Sequence, residues 1–262
     1  MKGNQLVRQR PKTRELIKQG FNPVDFHCHT EHSDGDVGVS DLIKKAAKLN
    51  IGIAVTDHNE IRGSIKAFNN NQNVFVIPGI ELTSSETKDI LLYFYDVGGL
   101  KDFYGKHVKN YKNYNFGFNL NRLKWNTEEL LDLARGYNCI VGLAHPFTLR
   151  PKNSFDLLRG NENLMKKIDV VEVLNGQLVS HRNDQAFLWN KQLKKPISGG
   201  SDCHSMFEMG RVITAAPGDD VETFLNAIIK KKNLVVGEEL NWFSRLKANG
   251  VIFKNNIRLT GK

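Results

Sequence analysis

Short apolar runs recur along the chain, and helix-like segments separate most of them. Strand-type runs lie at 24–26, 51–56, 74–80, 90–95, 139–144, 170–174 and 197–200, with a further candidate at 234–237. Between them, Ser40 is placed to cap a helix reaching Asn50, with Leu42, Ile43, Ala46, Ala47 and Leu49 along one side. A second helix is expected from Glu60. Asn126 with Glu129 three residues on has the form of a capping box, opening a helix to Tyr137. Further helices are expected over 180–194 and 220–232. Strands that alternate with helices imply parallel βαβ units. About seven such units in one chain favour closure into a barrel over an open sheet. Residues 101–125 are irregular, and nothing after Glu239 shows a clear pattern.

Chemistry gathers where the apolar runs end. The first runs into His27-Cys28-His29, with Asp34 close behind. The second ends in Thr56-Asp57-His58, the third in Gly79-Ile80-Glu81, and the fourth opens at Asp89. The fifth ends in Ala144-His145-Pro146, the sixth carries Glu172 and reaches Asn175, and the seventh ends in Ser201-Asp202-Cys203-His204. In an α/β barrel the active site forms at the carboxyl ends of the strands, so residues distant in sequence converge on one mouth. Alternate strand residues share a face, which lets His27 and His29 grip one ion with Asp25 beneath them as a supporting acceptor. Asp202 and His204 repeat that spacing, and Cys28 and Cys203 point away into the core. His32, His107 and His181 fall outside the pattern and are expected at the surface.

These motifs identify a resemblance. DFHCHTEHSDG, AVTDHNEIRG, IPGIEL, LAHPF, VEVLNG and GGSDCH occur in the order of the PHP (polymerase and histidinol phosphatase) family, over about residues 23 to 215. The layout is similar to that of its stand-alone metal-dependent phosphoesterases. The resemblance implies a distorted (β/α)7 TIM-like barrel and a centre of two or three divalent ions: zinc, manganese or iron. It implies ligand roles for His27, His29, Asp34, His58, Glu81, His145, Asp202 and His204. Many members carry histidine where this chain has Asp89. Aspartate can still ligate through oxygen, or the change can leave two ions instead of three. The expected reaction is hydrolysis of a phosphate ester by metal-activated water. Asp202, His145 and His204 are the candidate catalytic groups, and Arg62 and Arg211 the candidate phosphate-binding cations.

The chain has 262 residues and a formal net charge of +9. Residues 1–20 carry net +5 and residues 226–262 net +6, so the body between them is close to neutral. The expected organisation is a basic extension over 1–22, a barrel over 23–232, and a basic tail over 233–262 packing on or extending the barrel. Three scattered cysteines give no disulfide framework and fit a reducing cytoplasm. The longest apolar run is too short for a membrane span, and the first residues have no apolar leader core, so no membrane partner is expected. A phosphorylated small molecule or nucleotide is the expected substrate. A nuclease using the same centre is the alternative, motivated by Tyr104, Lys106, Lys109, Tyr111, Lys112, Tyr114, Phe116, Phe118, Arg122, Lys124 and Trp125, since aromatics stack on bases and cations follow the backbone. A third reading is a non-catalytic, metal-stabilised nucleic-acid-binding or subunit-docking module.

Overall fold

The apolar runs become strands whose residues are buried on both faces, as strands covered by helices must be. The computed structural model of the chain describes residues 4–70, 73–113 and 122–260, with the backbone alone at 253–254 and 256–260. In chain order the strands are β1 Gln5–Arg8, β2 Asn22–Cys28, β3 Gly52–Val55, β4 Val76–Thr83, β5 Asp89–Phe94, β6 Lys112–Asn113, β7 Arg122–Leu123, β8 Cys139–Leu143, β9 Val170–Asn175, β10 Ile197–Gly200, β11 Val212–Ala216 and β12 Leu234–Gly237. The helices are α1 Thr13–Lys18, α2 Val39–Leu49, α3 Arg62–Asn69, α4 Val97–His107, α5 Thr127–Arg135, α6 Phe155–Leu158, α7 Glu162–Lys166, α8 Ser180–Leu193, α9 Val221–Ile229 and α10 Trp242–Thr260. None of the described helices is long and apolar enough to cross a membrane.

The main sheet runs β1-β12-β11-β2-β3-β4-β5-β8-β9-β10. Its β2-to-β10 portion curls until the two ends meet. Asp202 N donates to His27 O at 2.9 Å and His29 N to Cys203 O at 2.9 Å, and the backbones of Cys28 and Cys203, whose thiols are free, pair in an isolated parallel β-bridge. The fold is therefore α/β with a nearly closed, barrel-shaped sheet. Closure needs a glycine at the seam: a Cβ on Gly200 would stand 2.4 Å from His27 Cβ. Inside, Val24 and Phe26 of β2, Ile77 of β4 and Leu91 and Tyr93 of β5 share one apolar cluster with Phe224 and Leu225 of α9. Phe26 stacks on Tyr93 with ring centroids 3.8 Å apart. Burying one such ring contributes about 1.5–3 kcal/mol.

The strands are not all parallel, as alternation had implied. β5 runs antiparallel to both β4 and β8, because only the turn at 84–88 joins β4 to β5 and no crossover helix intervenes. This reversal places Asp89, the first residue of β5, beside Thr83 at the end of β4. Several helix and strand limits also move, the helices expected to reach Tyr137 and Lys232 ending at Arg135 and Ile229. Gly38, not Ser40, precedes α2. Glu60 stays outside α3 and accepts the amides of Ile61 and Arg62 at 3.0 and 3.1 Å. β4 extends to Thr83, so Glu81 lies within a strand. The Asn126–Glu129 capping box forms as read.

The chain ends interlock. β12 pairs parallel with β1 and antiparallel with β11, which pairs antiparallel with β2. Residues after 239, patternless in sequence, include helix α10. Its Arg245 guanidinium donates to the carbonyls of Gln177, Leu178 and Leu240, and its buried Asn255 donates through Nδ2 to Asp34 O at 3.0 Å.

Candidate metal centre

Strand direction decides which residues meet. The ends of β2, β3, β8, β9 and β10 and the start of β5 surround one mouth, with Glu81 reaching it from β4. His27, His29, Glu81, Asp89, Asn175 and His204 are all buried there, and Asp34, His145 and Asp202 nearly so. Four side chains converge on one point. His27 Nε2 lies 3.1 Å from His29 Nε2, and 3.3 and 3.6 Å from Glu81 Oε2 and Asp202 Oδ1. His29 Nε2 is 3.3 Å from the same Glu81 oxygen and 3.1 Å from the same Asp202 oxygen. Beside this group, Asp34 Oδ2 is 3.2 Å from His204 Nε2 and 3.7 Å from His58 Nε2. On the other side, His145 Nε2 is 3.2 Å from Glu81 Oε1 and 3.9 Å from Asp89 Oδ2. Among the described residues, several trios of these donors lie within 4.8 Å of one another.

This arrangement fits divalent cations. Two imidazole nitrogens that face each other, each also facing carboxylate oxygens, form a point that a positive charge would stabilise. Imidazole with carboxylate is the donor set that suits zinc, manganese or iron.

A ring of hydrogen bonds fixes these donors. Glu172 accepts from His27 Nδ1 at 2.9 Å, from the His145 amide at 2.8 Å and from Asn175 Nδ2 at 3.1 Å. Asn175 Nδ2 also donates to Asp202 Oδ2 at 3.1 Å. Glu208 accepts the amides of His204 and Ser205. Asp57 accepts from Thr30 N, Thr30 Oγ1 and Ser33 Oγ, each at 2.7 Å, and so holds the loop that carries Asp34. Asn59, His145 and Asp202 have φ of 50°, 24° and 52°, a costly conformation for residues with a Cβ and one that clusters at functional sites.

Burial pushes the carboxyls up and the imidazoles down, and their mutual attraction reverses most of that. The histidines hold Asp34, Glu81 and Asp202 well below the usual carboxylate range against burial. Although burial opposes its charge, His204 is raised to about 10 by Asp34, Asp202 and Glu208. His27 and His145 are raised in the same way, by Asp202, Glu172 and Glu81 and by Glu81, Asp89 and Asp202 respectively. His58 goes down, chiefly by burial, with Lys152 adding repulsion.

Some expected residues act elsewhere. Asp25 does not support the histidines. The β2–β3 register slips between Asp25 and Cys28, so a two-residue period no longer links Asp25 to His27. Its carboxylate instead accepts Ser201 N, Ser201 Oγ and Gly210 N at 2.9, 2.5 and 2.7 Å. Arg62 is exposed and pairs with Glu60 at 3.1 Å. Arg211, just before β11, is half-buried and makes no ion pair among the described residues. His32 and His107 are half-buried rather than at the surface, and His107 Nε2 meets Tyr137 OH at 3.1 Å.

In the basic and aromatic stretch, Lys112 pairs with Glu60 at 3.3 Å, Tyr111 and Trp125 contact each other with centroids 4.7 Å apart, and Trp125 Nε1 donates to His107 O. Tyr114, Phe116 and Phe118 lie outside the described residues. Sequence reasoning missed Lys152, Asp57 and Glu208. Asp57 sits beside a candidate ligand in the sequence, and that adjacency was the available signal for it.

The model of the PHP domain matches residues 25–192, and that of a PHP-associated region matches residues 180–233. The chain belongs to the PHP family. An uncharacterized protein of Methanocaldococcus jannaschii is 25% identical over 258 residues, covering 91% of this chain and 94% of its own. Among solved structures, a two-domain protein of Bacteroides vulgatus containing a predicted PHP-like metal-dependent phosphoesterase superposes with a TM-score of 0.61 at 15% identity, covering 96% of this chain and 74% of that one. The lesion-specific endonuclease Q of Pyrococcus furiosus gives a TM-score of 0.64 at 20% identity, over 82% of this chain and 57% of that one. At these identities the two structures share the PHP fold with this chain.

Proposed function

We propose that this PHP-family chain is a metal-dependent phosphoesterase that hydrolyses a phosphate ester of a small molecule or nucleotide. The convergence of His27, His29, Glu81 and Asp202 on one point carries this reading. These four residues would hold one divalent cation, and Asp34, His58 and His204 a second. Bound there, such ions supply Lewis acidity that acidifies a water and offsets charge on the phosphoryl oxygens.

The chain does the positioning. Glu172 keeps the proton of His27 on Nδ1 and so leaves Nε2 free to donate its lone pair. Glu81 presents one oxygen to His27 and His29 and the other to His145. His145 Nε2, 3.2 Å from Glu81 Oε1 at the edge of the centre, is the group placed to protonate the leaving oxygen. The small-molecule reading is preferred over the nuclease reading because several groups of the 101–125 stretch are already held: Lys112 by Glu60, Arg122 by Ser85 O, and Tyr111 and Trp125 by each other.

The test is elemental analysis of the purified chain with a panel of phosphomonoesters, mononucleotides and single-stranded oligonucleotides, each under zinc, manganese and iron. His29→Ala and Asp202→Ala are expected to lose bound metal and turnover with unchanged circular dichroism. Turnover retained by either variant contradicts the mechanism. End-trimming of oligonucleotides that falls steeply with salt, without mononucleotide turnover, replaces it with the nuclease reading.

A further inference from the structure

Three donors at one edge of the centre form a group of their own, and a lysine already reaches into it. Glu81 Oε1, His145 Nε2 and Asp89 Oδ2 follow one another at 3.2 and 3.9 Å. The Lys152 ammonium is 2.9 Å from Asp89 Oδ2. Asp89 is fully buried, and its other oxygen accepts the Thr83 hydroxyl at 2.7 Å. Oδ2 is therefore the atom left to face a cation, and Lys152 faces it. The lysine enters from the rim, with its side chain 41% exposed.

The loop that carries Lys152 is tied down on both sides. Lys88, the neighbour of Asp89, donates through Nζ to Pro151 O at 2.5 Å and to Asn153 O at 2.7 Å. Thus one residue of the turn grips the carbonyls flanking Lys152, and the next residue receives its ammonium. The amides of Ser154 and Phe155 return to Pro146 O at 3.2 and 3.1 Å. Arg182 donates to Phe147 O and Thr148 O at 2.5 and 3.3 Å. Lys152 is thus delivered by a braced loop, not by a free surface chain.

We infer that Lys152 is a built-in cation that stands in for a third metal ion at Glu81, Asp89 and His145, so that the centre holds two ions. This rests on the metal-centre reading above. The physical reason is charge. A divalent ion shared by Asp89 and His145 would stand within a few ångströms of the ammonium, and like charges at that range repel strongly away from bulk water. Displacing Lys152 would also mean leaving the rim contact that its braced backbone sets up. Asp89 serves this arrangement well, because a carboxylate anchors an ammonium and a neutral imidazole does not.

The experiment loads wild type, Lys152→Ala and Lys152→Arg with excess manganese or zinc, strips loose metal on a chelating resin, and measures metal per chain by mass spectrometry. Two ions are expected in wild type and in Lys152→Arg, which keeps the charge, and three in Lys152→Ala. Three ions in wild type, or two in a folded Lys152→Ala, overturn the inference and leave the metal-centre reading intact. A wild-type ratio below two overturns it as well, and a ratio near zero removes the metal-centre reading too. A second measurement needs no variant. Amine acetylation mapped by mass spectrometry is expected to label Lys152 equally slowly in stripped and loaded wild type. A loading-dependent rise in its labelling shows that an incoming ion expels the lysine and overturns the inference.

Discussion

Glu172→Gln tests the ligand geometry with almost no change of shape. Glu172 has two oxygens and three donors: His27 Nδ1, the His145 amide and Asn175 Nδ2. Glutamine offers one acceptor oxygen and one NH2 group. Turning its oxygen to the His145 amide and Asn175 sends the NH2 toward His27 Nδ1. The ring must then carry its proton on Nε2, the atom that faces His29, Glu81 and Asp202. A protonated nitrogen cannot donate to a metal. The opposite orientation keeps His27 correct but sets two donors against each other at the His145 amide. Loss of such a supporting acceptor costs about 10–100-fold in metal affinity, which is about 1.4–2.8 kcal/mol. The assay is competition for zinc against a chelator of known affinity, with circular dichroism to check folding. An unchanged affinity in a folded Glu172→Gln refutes the argument that Glu172 sets the His27 tautomer.

Asp25→Ala should destabilise without removing a ligand. It leaves Ser201 N, Ser201 Oγ and Gly210 N without their acceptor, an effect of about 3–5 kcal/mol in total. The expected fall in Tm is roughly 6–15 °C, and a fall under about 2 °C by calorimetry counts against it. For pH dependence, burial raises the Glu60 carboxyl, but Lys112 and Arg62 outweigh it and hold the group below its usual value of 4.5. A depressed carboxylate adds stability above its unfolded value and loses it as pH falls through its folded one. Lys112→Met should therefore lower Tm at pH 7 and converge with wild type under acid conditions. An equal Tm gap at pH 7 and near pH 3 contradicts this.

Much of this protein was written in local pattern. The Asn126–Glu129 capping box needs only four neighbouring residues, and it forms as read. The ligand candidates at the strand ends were legible for a similar reason. An apolar run states where a strand lies, and the polar residue that ends it states which end faces the mouth. His27, His29, Glu81, His145 and Asp202 meet as that logic requires.

Other features were settled only when the chain closed on itself. The reversal of β5 depends on a turn too short for a crossover, and apolar spacing carries no direction. Asp25 shows the limit of periodicity, since one register slip sent its carboxylate to Ser201 and Gly210 and gave the support of His27 to Glu172. Lys152 was invisible because a lysine in a polar loop looks the same whether it is solvated or paired. The tail after Glu239 likewise took its place through contacts such as that of Asn255 with Asp34 O. Sequence fixes what each residue can donate, accept or bury within a few neighbours. Which of those capacities is used depends on groups brought close by the whole fold, and for a charged side chain the electrostatic energy is set almost entirely by that neighbourhood.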